Sequence, residues 1–207
     1  MKWNLKTQWL TTVGMLAAIG GAGCAGSRAP AGQRYETVSA VSTADRAQAE
    51  KLATEGLSRL NAGDHDGAAT KFRDAIIQDM NYGPAHNGLG VALFRQGRFY
   101  EAAWEFDYAA KLMPKSPQPL INLGMIAEIA GKQDEAMTRY ESALALDPNS
   151  VEAIGYLVRL RIKQGVRDAR TQTLLDELLS RDTRPTWRRW AELESTRIPS
   201  APPTSPE

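Results

Sequence analysis

Two histidines and one cysteine are the residues of this 207-residue chain best suited to metal or nucleophilic chemistry. His65 lies between two aspartates in what has the composition of a polar turn, and His86 lies at a helix-packing position. The sequence contains no phosphate-binding loop, no nucleophile elbow and no spacing typical of metal ligands. We therefore predict no catalytic residue, no metal site and no cofactor, and we expect that the chain is not an enzyme.

The single cysteine, Cys24, follows a segment with the features of an export signal. Lys2 and Lys6 supply positive charge, residues 9–19 form an apolar run too short to span a bilayer, and small residues precede the cysteine. This arrangement resembles the lipobox of bacterial lipoproteins, whose cysteine receives a lipid and becomes the first mature residue. The resemblance implies that residues 1–23 are a signal peptide and that Cys24 is the lipid attachment site. A secreted protein with an unmodified cysteine is the alternative.

Two segments have the composition of unstructured chain. Residues 24–42 are rich in Ala, Gly and Ser, which predicts a flexible tether after the lipidated cysteine. Residues 199–207 are rich in Pro and Ser, which predicts a disordered tail.

Ala25 is the residue that follows the cysteine. Resemblance to enterobacterial lipoproteins then implies that the protein is anchored in the outer membrane and faces the periplasm.

A period of 34 residues dominates the rest of the sequence. The recurring residues are glycine, alanine, an aromatic and, at the end of a unit, proline. They are Gly63, Gly97, Gly131 and Gly165; Gly56, Gly90 and Gly124; Ala68, Ala102 and Ala136; Ala75, Ala109 and Ala143; Phe72, Phe106 and Tyr140; Pro114 and Pro148. Each unit thus predicts two amphipathic helices joined by a turn at a glycine, because glycine adopts the left-handed conformation at little cost.

The period and its residue types resemble the tetratricopeptide repeat (TPR) family. The resemblance implies an all-α fold, a right-handed superhelix of stacked helix-turn-helix TPR units with a C-terminal capping helix, over residues 43–198. The predicted units are repeats 49–82, 83–116 and 117–150, a divergent fourth unit at 151–182, and a capping helix at 185–196. A membrane-surface anchor is the alternative for the last helix, because it carries Trp187 and Trp190 beside arginines.

In TPR proteins the first helix of each unit lines a concave groove in which protein partners bind. Carrying those positions onto this chain predicts a partner groove with an apolar middle and a basic C-terminal end. Its residues are Asn87, Val91, Phe94, Arg95, Ile121, Asn122, Met125, Arg159 and Lys163. The alternative is that residues 33–48 or the C-terminal helix fill the groove.

The charge balance excludes one class of partner. The chain carries a net charge of +1, and without residues 1–23 it carries 23 basic and 24 acidic residues, a net charge of −1. A nucleic-acid partner requires a basic surface, so we expect none. The C-terminal third is locally basic, with Arg159, Arg161, Arg167 and Arg170 among its residues, and we interpret this as a solvated helical face.

The features together predict a lipid-anchored protein-protein interaction scaffold in the bacterial cell envelope. Resemblance to the TPR lipoproteins of pilus and secretion systems implies a role in assembling such a complex. The alternative is a regulatory or delivery subunit for a cell-wall enzyme. The identity of the partner does not follow from a repeat fold.

Overall fold

Residues 42–198 are described by the computed structural model of the chain, and they form nine α-helices. In chain order these are α1 (Thr43–Asn61), α2 (His65–Gln78), α3 (Gly83–Arg95), α4 (Phe99–Leu112), α5 (Gln118–Ile129), α6 (Gln133–Leu146), α7 (Val151–Lys163), α8 (Ala169–Arg181) and α9 (Pro185–Ser195). Each helix packs against the next one along the chain, and the odd-numbered helices α1, α3, α5 and α7 also contact one another in order. The predicted all-α stack of helix pairs is confirmed.

The turn within each pair is made by one glycine of the 34-residue series. Gly63, Gly97, Gly131 and Gly165 have φ angles of 79°, 77°, 75° and 80°. These angles lie in the left-handed region that favours glycine. The sequence pattern therefore located the turn of every pair.

The core of the first three units is built from aromatic rings lying on glycines. A Cβ added to Gly90 would lie 2.6 Å from Cε1 of Phe106, and one added to Gly124 would lie 2.4 Å from Cε1 of Tyr140. Gly56 faces Phe72 in the same way. The recurring alanines beside these rings are fully buried. Small residues on one helix thus let the ring of its partner approach the backbone, which gives the dense packing of a protein interior.

The first helix begins at Thr43, where Ser42 caps it. The Ser42 hydroxyl accepts from the backbone N–H of Asp45 at 3.1 Å, and the Asp45 carboxylate accepts from the backbone N–H of Ser42 at 3.2 Å. This reciprocal capping satisfies two otherwise unpaired backbone donors. Residues 43–48 are therefore the first turns of α1, and the alternative that residues 33–48 fill the groove is wrong for this part of the range.

The fourth unit departs from the repeat. Helices α2, α4 and α6 begin 34 residues apart, but α8 begins at Ala169, two residues later than this spacing requires. Asp168 caps α8, and both of its carboxylate oxygens accept from Nη2 of Arg161, whose Nε also donates to the Thr171 hydroxyl at 3.0 Å. Hydrogen bonds from the backbone and hydroxyl of Thr171 and from Arg161 lower the pKa of Asp168 to about 2. Arg161 is 8% exposed, so the interpretation of the basic residues as a solvated face is wrong for this one.

The last helix, α9, starts 34 residues after α7 and packs on α8 as the first helix of a further unit. Ala191 is fully buried there, and the Trp187 ring lies against Gly155 of α7. Trp187 and Trp190 are partly buried and pack against the core, as a capping helix requires. Leu193 remains 55% exposed.

The predicted signal peptide, Cys24, most of the tether and the predicted tail at 199–207 lie outside the described residues. Among residues 42–198, no helix has the length and apolar character needed to span a bilayer.

Candidate partner groove

The first section of the groove is formed by the first helices of the first three units. It has a volume of about 530 Å³ and lies across α1, α3 and the start of α5. Its lining residues are Leu57, Leu60, Asn61, His65, Pro84, Asn87, Gly88, Val91, Arg95, Met113, Ser116 and Gln118. Leu57 is 53% exposed and presents its side chain to this section.

A second, smaller section of about 130 Å³ continues the groove towards the C-terminus. It shares Val91 and Arg95 with the first section, and its other lining residues are Phe94, Phe106, Asn122, Met125 and Tyr156. The Phe94 ring is held in place by an edge contact with Phe99, at a centroid distance of 5.4 Å. Five of the nine predicted groove residues therefore line this section.

A third section of about 190 Å³ lies between α7 and α9 and is lined by Arg159, Thr186, Trp187 and Trp190. Tyr156 connects it with the second section, because its ring contacts Trp187 edge-on at 5.7 Å. The two tryptophans also contact each other edge-on at 5.7 Å. The helix predicted as a cap thus supplies most of this section.

The charge of Arg159 is already compensated within the protein. Its guanidinium donates to Glu128 at 3.0 Å and lies over the Tyr156 ring, 5.1 Å from the centroid. Glu128 also accepts from the Tyr140 hydroxyl at 2.7 Å. Burial and this hydrogen bond raise the pKa of Tyr140. Arg159 is therefore a structural link between units as much as a groove cation.

Two other predicted cations remain unpaired within residues 42–198. Arg95 and Lys163 are both exposed, and neither forms an ion pair with a described side chain. Arg95 lies where the first and second sections meet. An unpaired guanidinium beside apolar side chains suits a carboxylate or a backbone carbonyl of a bound segment.

The predicted groove asparagines are paired with each other. The Asn122 amide donates to the Asn87 side-chain oxygen at 3.0 Å, which joins α3 to α5. One predicted residue is misplaced: Ile121 is 2% exposed and packs in the core, so it is not available to a partner. It follows Leu120 on α5, and one residue along a helix rotates the side chain by about 100°, which here turns it inward.

His65 lines the groove, although the sequence indicated only a polar turn. It is the first residue of α2, with Asp64 as the helix cap, and its Nδ1 is buried without a partner among the described residues. Gln96 of the next unit donates to its carbonyl oxygen at 3.2 Å. The sequence signal that could have located His65 is the 34-residue register. It places residue 65 at the start of the second helix of its unit rather than in the turn. Within residues 42–198, no group of three potential ligand side chains is arranged to hold a metal ion.

Comparison with known protein families supports the TPR resemblance. Residues 54–119 match the family model described as a tetratricopeptide repeat. The human protein O-mannosyl-transferase TMTC2 is 36% identical over 83 residues, which cover 38% of this chain and 10% of that protein. Matched curated relatives are mostly far longer, and the chain spans 15% of the rice U-box domain-containing protein 70 and 6% of the mouse superkiller complex protein 3.

Solved structures show the same fold. The first TPR domain of Spaghetti (RPAP3), bound to an HSP90 peptide, has a TM-score of 0.54 at 22% identity and covers 58% of this chain and 95% of that one. The Yersinia enterocolitica type III secretion chaperone SycD, in complex with a peptide of the translocator YopD, has a TM-score of 0.51 at 19% identity. It covers 56% of this chain and 93% of that one. The described residues therefore have the right-handed superhelical TPR fold.

Proposed function

We propose that this protein is a lipid-anchored scaffold of the bacterial cell envelope that binds a segment of a partner protein in its groove. The observation that carries the proposal is the first groove section, about 530 Å³ in volume, lined by the exposed Leu57, by half-buried apolar side chains such as Leu60 and Val91, and by Arg95, which is unpaired within residues 42–198. Exposed apolar side chains gathered in one concave strip are typical of a partner surface.

The lining chemistry favours an extended or helical segment with apolar side chains and an acidic group. Leu57 and Val91 offer apolar contacts, and Arg95 offers a cation at the junction of two sections. Arg159 offers the flat face of its guanidinium rather than its charge, because Glu128 already neutralises that charge. The fold neighbours that hold HSP90 and translocator peptides are consistent with binding of this kind.

The proposed location rests on the N-terminal segment. The lipobox-like residues before Cys24 support lipid attachment, and a tether of about 19 residues would span on the order of 25 Å as a random coil. The groove would then work close to a membrane surface, which suits a role in assembling a pilus, secretion or other envelope complex.

The test is a crosslinking capture from bacterial membranes with the full chain. The groove variant is Leu57→Ser with Arg95→Glu, because both side chains are exposed and neither is part of the core. The matched control is Ile77→Ser with Arg73→Glu, which makes the same changes on the exposed surface of α2. A Cys24→Ser chain forms a third arm, in which metabolic labelling with a fatty acid and membrane association are measured.

We expect the natural chain and the control to capture the same envelope protein and the groove variant to lose it. Capture that is unchanged in the groove variant would remove the groove from the proposal. Captured cell-wall hydrolase or synthase, in place of a pore or pilus component, would favour the alternative role as a subunit for a cell-wall enzyme. Equal fatty-acid labelling of the Cys24→Ser chain would contradict lipid anchoring.

A further inference from the structure

Helix α4 carries a stripe of exposed aromatic side chains that does not contribute to the groove. Tyr100 is 89% exposed, Trp104 is 77% exposed and Tyr108 is 42% exposed. Residues four apart lie on one face of a helix, about 6 Å apart along its axis. We call these three residues the aromatic stripe.

The repeat register shows that the fold does not require aromatic residues there. The equivalent positions of the first and third units carry short polar residues in the same kind of helix. They are Asp66, Thr70 and Asp74 in the first unit and Asp134, Thr138 and Ser142 in the third. Three related helices thus share a solvent-facing line, and only α4 makes it aromatic.

Internal packing does not account for the stripe either. Tyr108 makes an edge contact with His86 at 4.6 Å, whereas Tyr100 and Trp104 make no aromatic contact within residues 42–198. Taking 150–250 Å² for each buried aromatic side chain, the exposed fractions amount to roughly 400 Å² of surface. Contiguous apolar patches of this size on a monomer commonly mark an interaction site.

We propose that the aromatic stripe is a self-association surface, occupied by the same stripe of a second copy of this chain. A two-fold contact requires one patch to be complementary to itself. The stripe reads the same in both directions about Trp104, with one tyrosine four residues away on each side. Antiparallel pairing of two α4 helices therefore places Trp104 against its own copy and Tyr100 against Tyr108 of the second copy.

The charges around the stripe permit this pairing. At its N-terminal end Arg98 is paired with Glu101, and at its C-terminal end Asp107 is paired with Lys111. Each end is internally neutralised, and Glu105 beside Trp104 is hydrogen-bonded to His86, so every charged group at the stripe is engaged within its own copy. Tyr and Trp are also the residue types enriched at the energetic centres of interfaces.

The area sets the strength of the contact. Two stripes together supply roughly 800 Å² of buried aromatic surface, below the 1,200–2,000 Å² of standard stable interfaces. The contact is therefore a weak and reversible dimer, one that confinement of the chains to a membrane would favour by raising their local concentration. It does not depend on groove binding, because no stripe residue lines the groove.

The test is sedimentation velocity of the full chain in a non-ionic detergent over a wide concentration series. The stripe variant is Tyr100→Asp with Trp104→Thr, which installs the residue types that the first and third units carry at these positions. The matched control is Asp134→Asn with Thr138→Val on α6, which alters the equivalent line without creating or removing an aromatic residue. Circular dichroism melting verifies that each chain is folded.

We expect the natural chain and the control to sediment faster as concentration rises, and the stripe variant to show an association constant lower by about tenfold or more. An equal concentration dependence in natural and stripe-variant chains would overturn the proposal, as would a natural chain that stays monomeric throughout. A natural chain that stays monomeric but floats with phosphatidylcholine vesicles in a Trp104-dependent manner would assign the stripe to a lipid surface, and would equally overturn it.

Discussion

The first three units and the fourth unit are held together by different physical means. In the first three, an aromatic ring lies directly on a glycine of the partner helix, as Phe106 does on Gly90. In the fourth, aliphatic side chains form the core instead, with Leu157, Leu175 and Leu178 fully buried. The buried Arg161 also joins α7 to the cap of α8 through Asp168 and Thr171. A ring on a glycine recurs at fixed positions of the 34-residue unit, whereas an aliphatic core with one buried arginine can be built from other positions, so the repeat pattern fades in the fourth unit.

The largest effect is expected from filling the space between a glycine and its ring. A Gly90→Ala chain places a methyl group 2.6 Å from a buried ring carbon, and overpacking of this kind costs about 1–3 kcal/mol in the free energy of unfolding. Urea denaturation measures it. In a Phe106→Leu background the same alanine should cost less, because the ring that it meets is gone. An equal loss of unfolding free energy in both backgrounds would show that the Phe106 ring is not the reason why residue 90 must be glycine.

A turn glycine sharpens the comparison, because it tests conformation without packing. Gly131 has a φ of 75° and nothing lies within 4 Å of an added Cβ, so Gly131→Ala should cost about 1 kcal/mol from the left-handed backbone alone. Gly131→Asn should cost less, since asparagine adopts this conformation more readily. Thermal melting of the two variants measures the difference, and an alanine variant as stable as the natural chain would contradict the conformational explanation.

The smallest effect is expected from acid, and it falls on the fourth unit. The pKa of Asp168 is lowered from 3.8 to about 2 in the folded chain, so its contribution to stability is present above its ordinary pKa and is lost as the pH falls through about 2. An Asp168→Asn chain lacks this contribution at every pH. Its melting temperature should therefore approach that of the natural chain as the pH is lowered from about 4 to about 2. A difference that stays constant across this window would remove the Asp168 carboxylate from the account.

The sequence predicts the first three units well because their contacts repeat. Gly131 makes the turn between α5 and α6 with a positive φ, and Tyr140 lies on Gly124, as the copies of the unit in register predict. The two-residue shift of α8 was not predictable from the period, because it depends on Asp168 capping the helix and on Arg161 reaching it.

The candidate groove was predictable only in part, for a geometric reason. Ile121 and Met125 lie four residues apart on nearly the same face of α5, yet Ile121 packs in the core and Met125 lines the groove, so a sequence pattern does not separate them. The pairing of Arg159 with Glu128 joins residues 31 apart on different units, which a pattern within one unit does not contain. Trp187 lines the groove because α9 occupies the position of the first helix of a fifth unit. This position is a consequence of helix stacking and not of a sequence motif.

Contacts that join only neighbouring helices also determine how the chain gains and loses its structure. Consecutive helices supply most of the contacts, so folding closes short loops of chain, which makes it fast compared with folds that join distant segments. Unfolding in such an array begins at a terminal unit and proceeds along it, because an end unit has one neighbour and an inner unit has two. Backbone amides of α9 and of the start of α1 should accordingly exchange with solvent before those of α4 and α5.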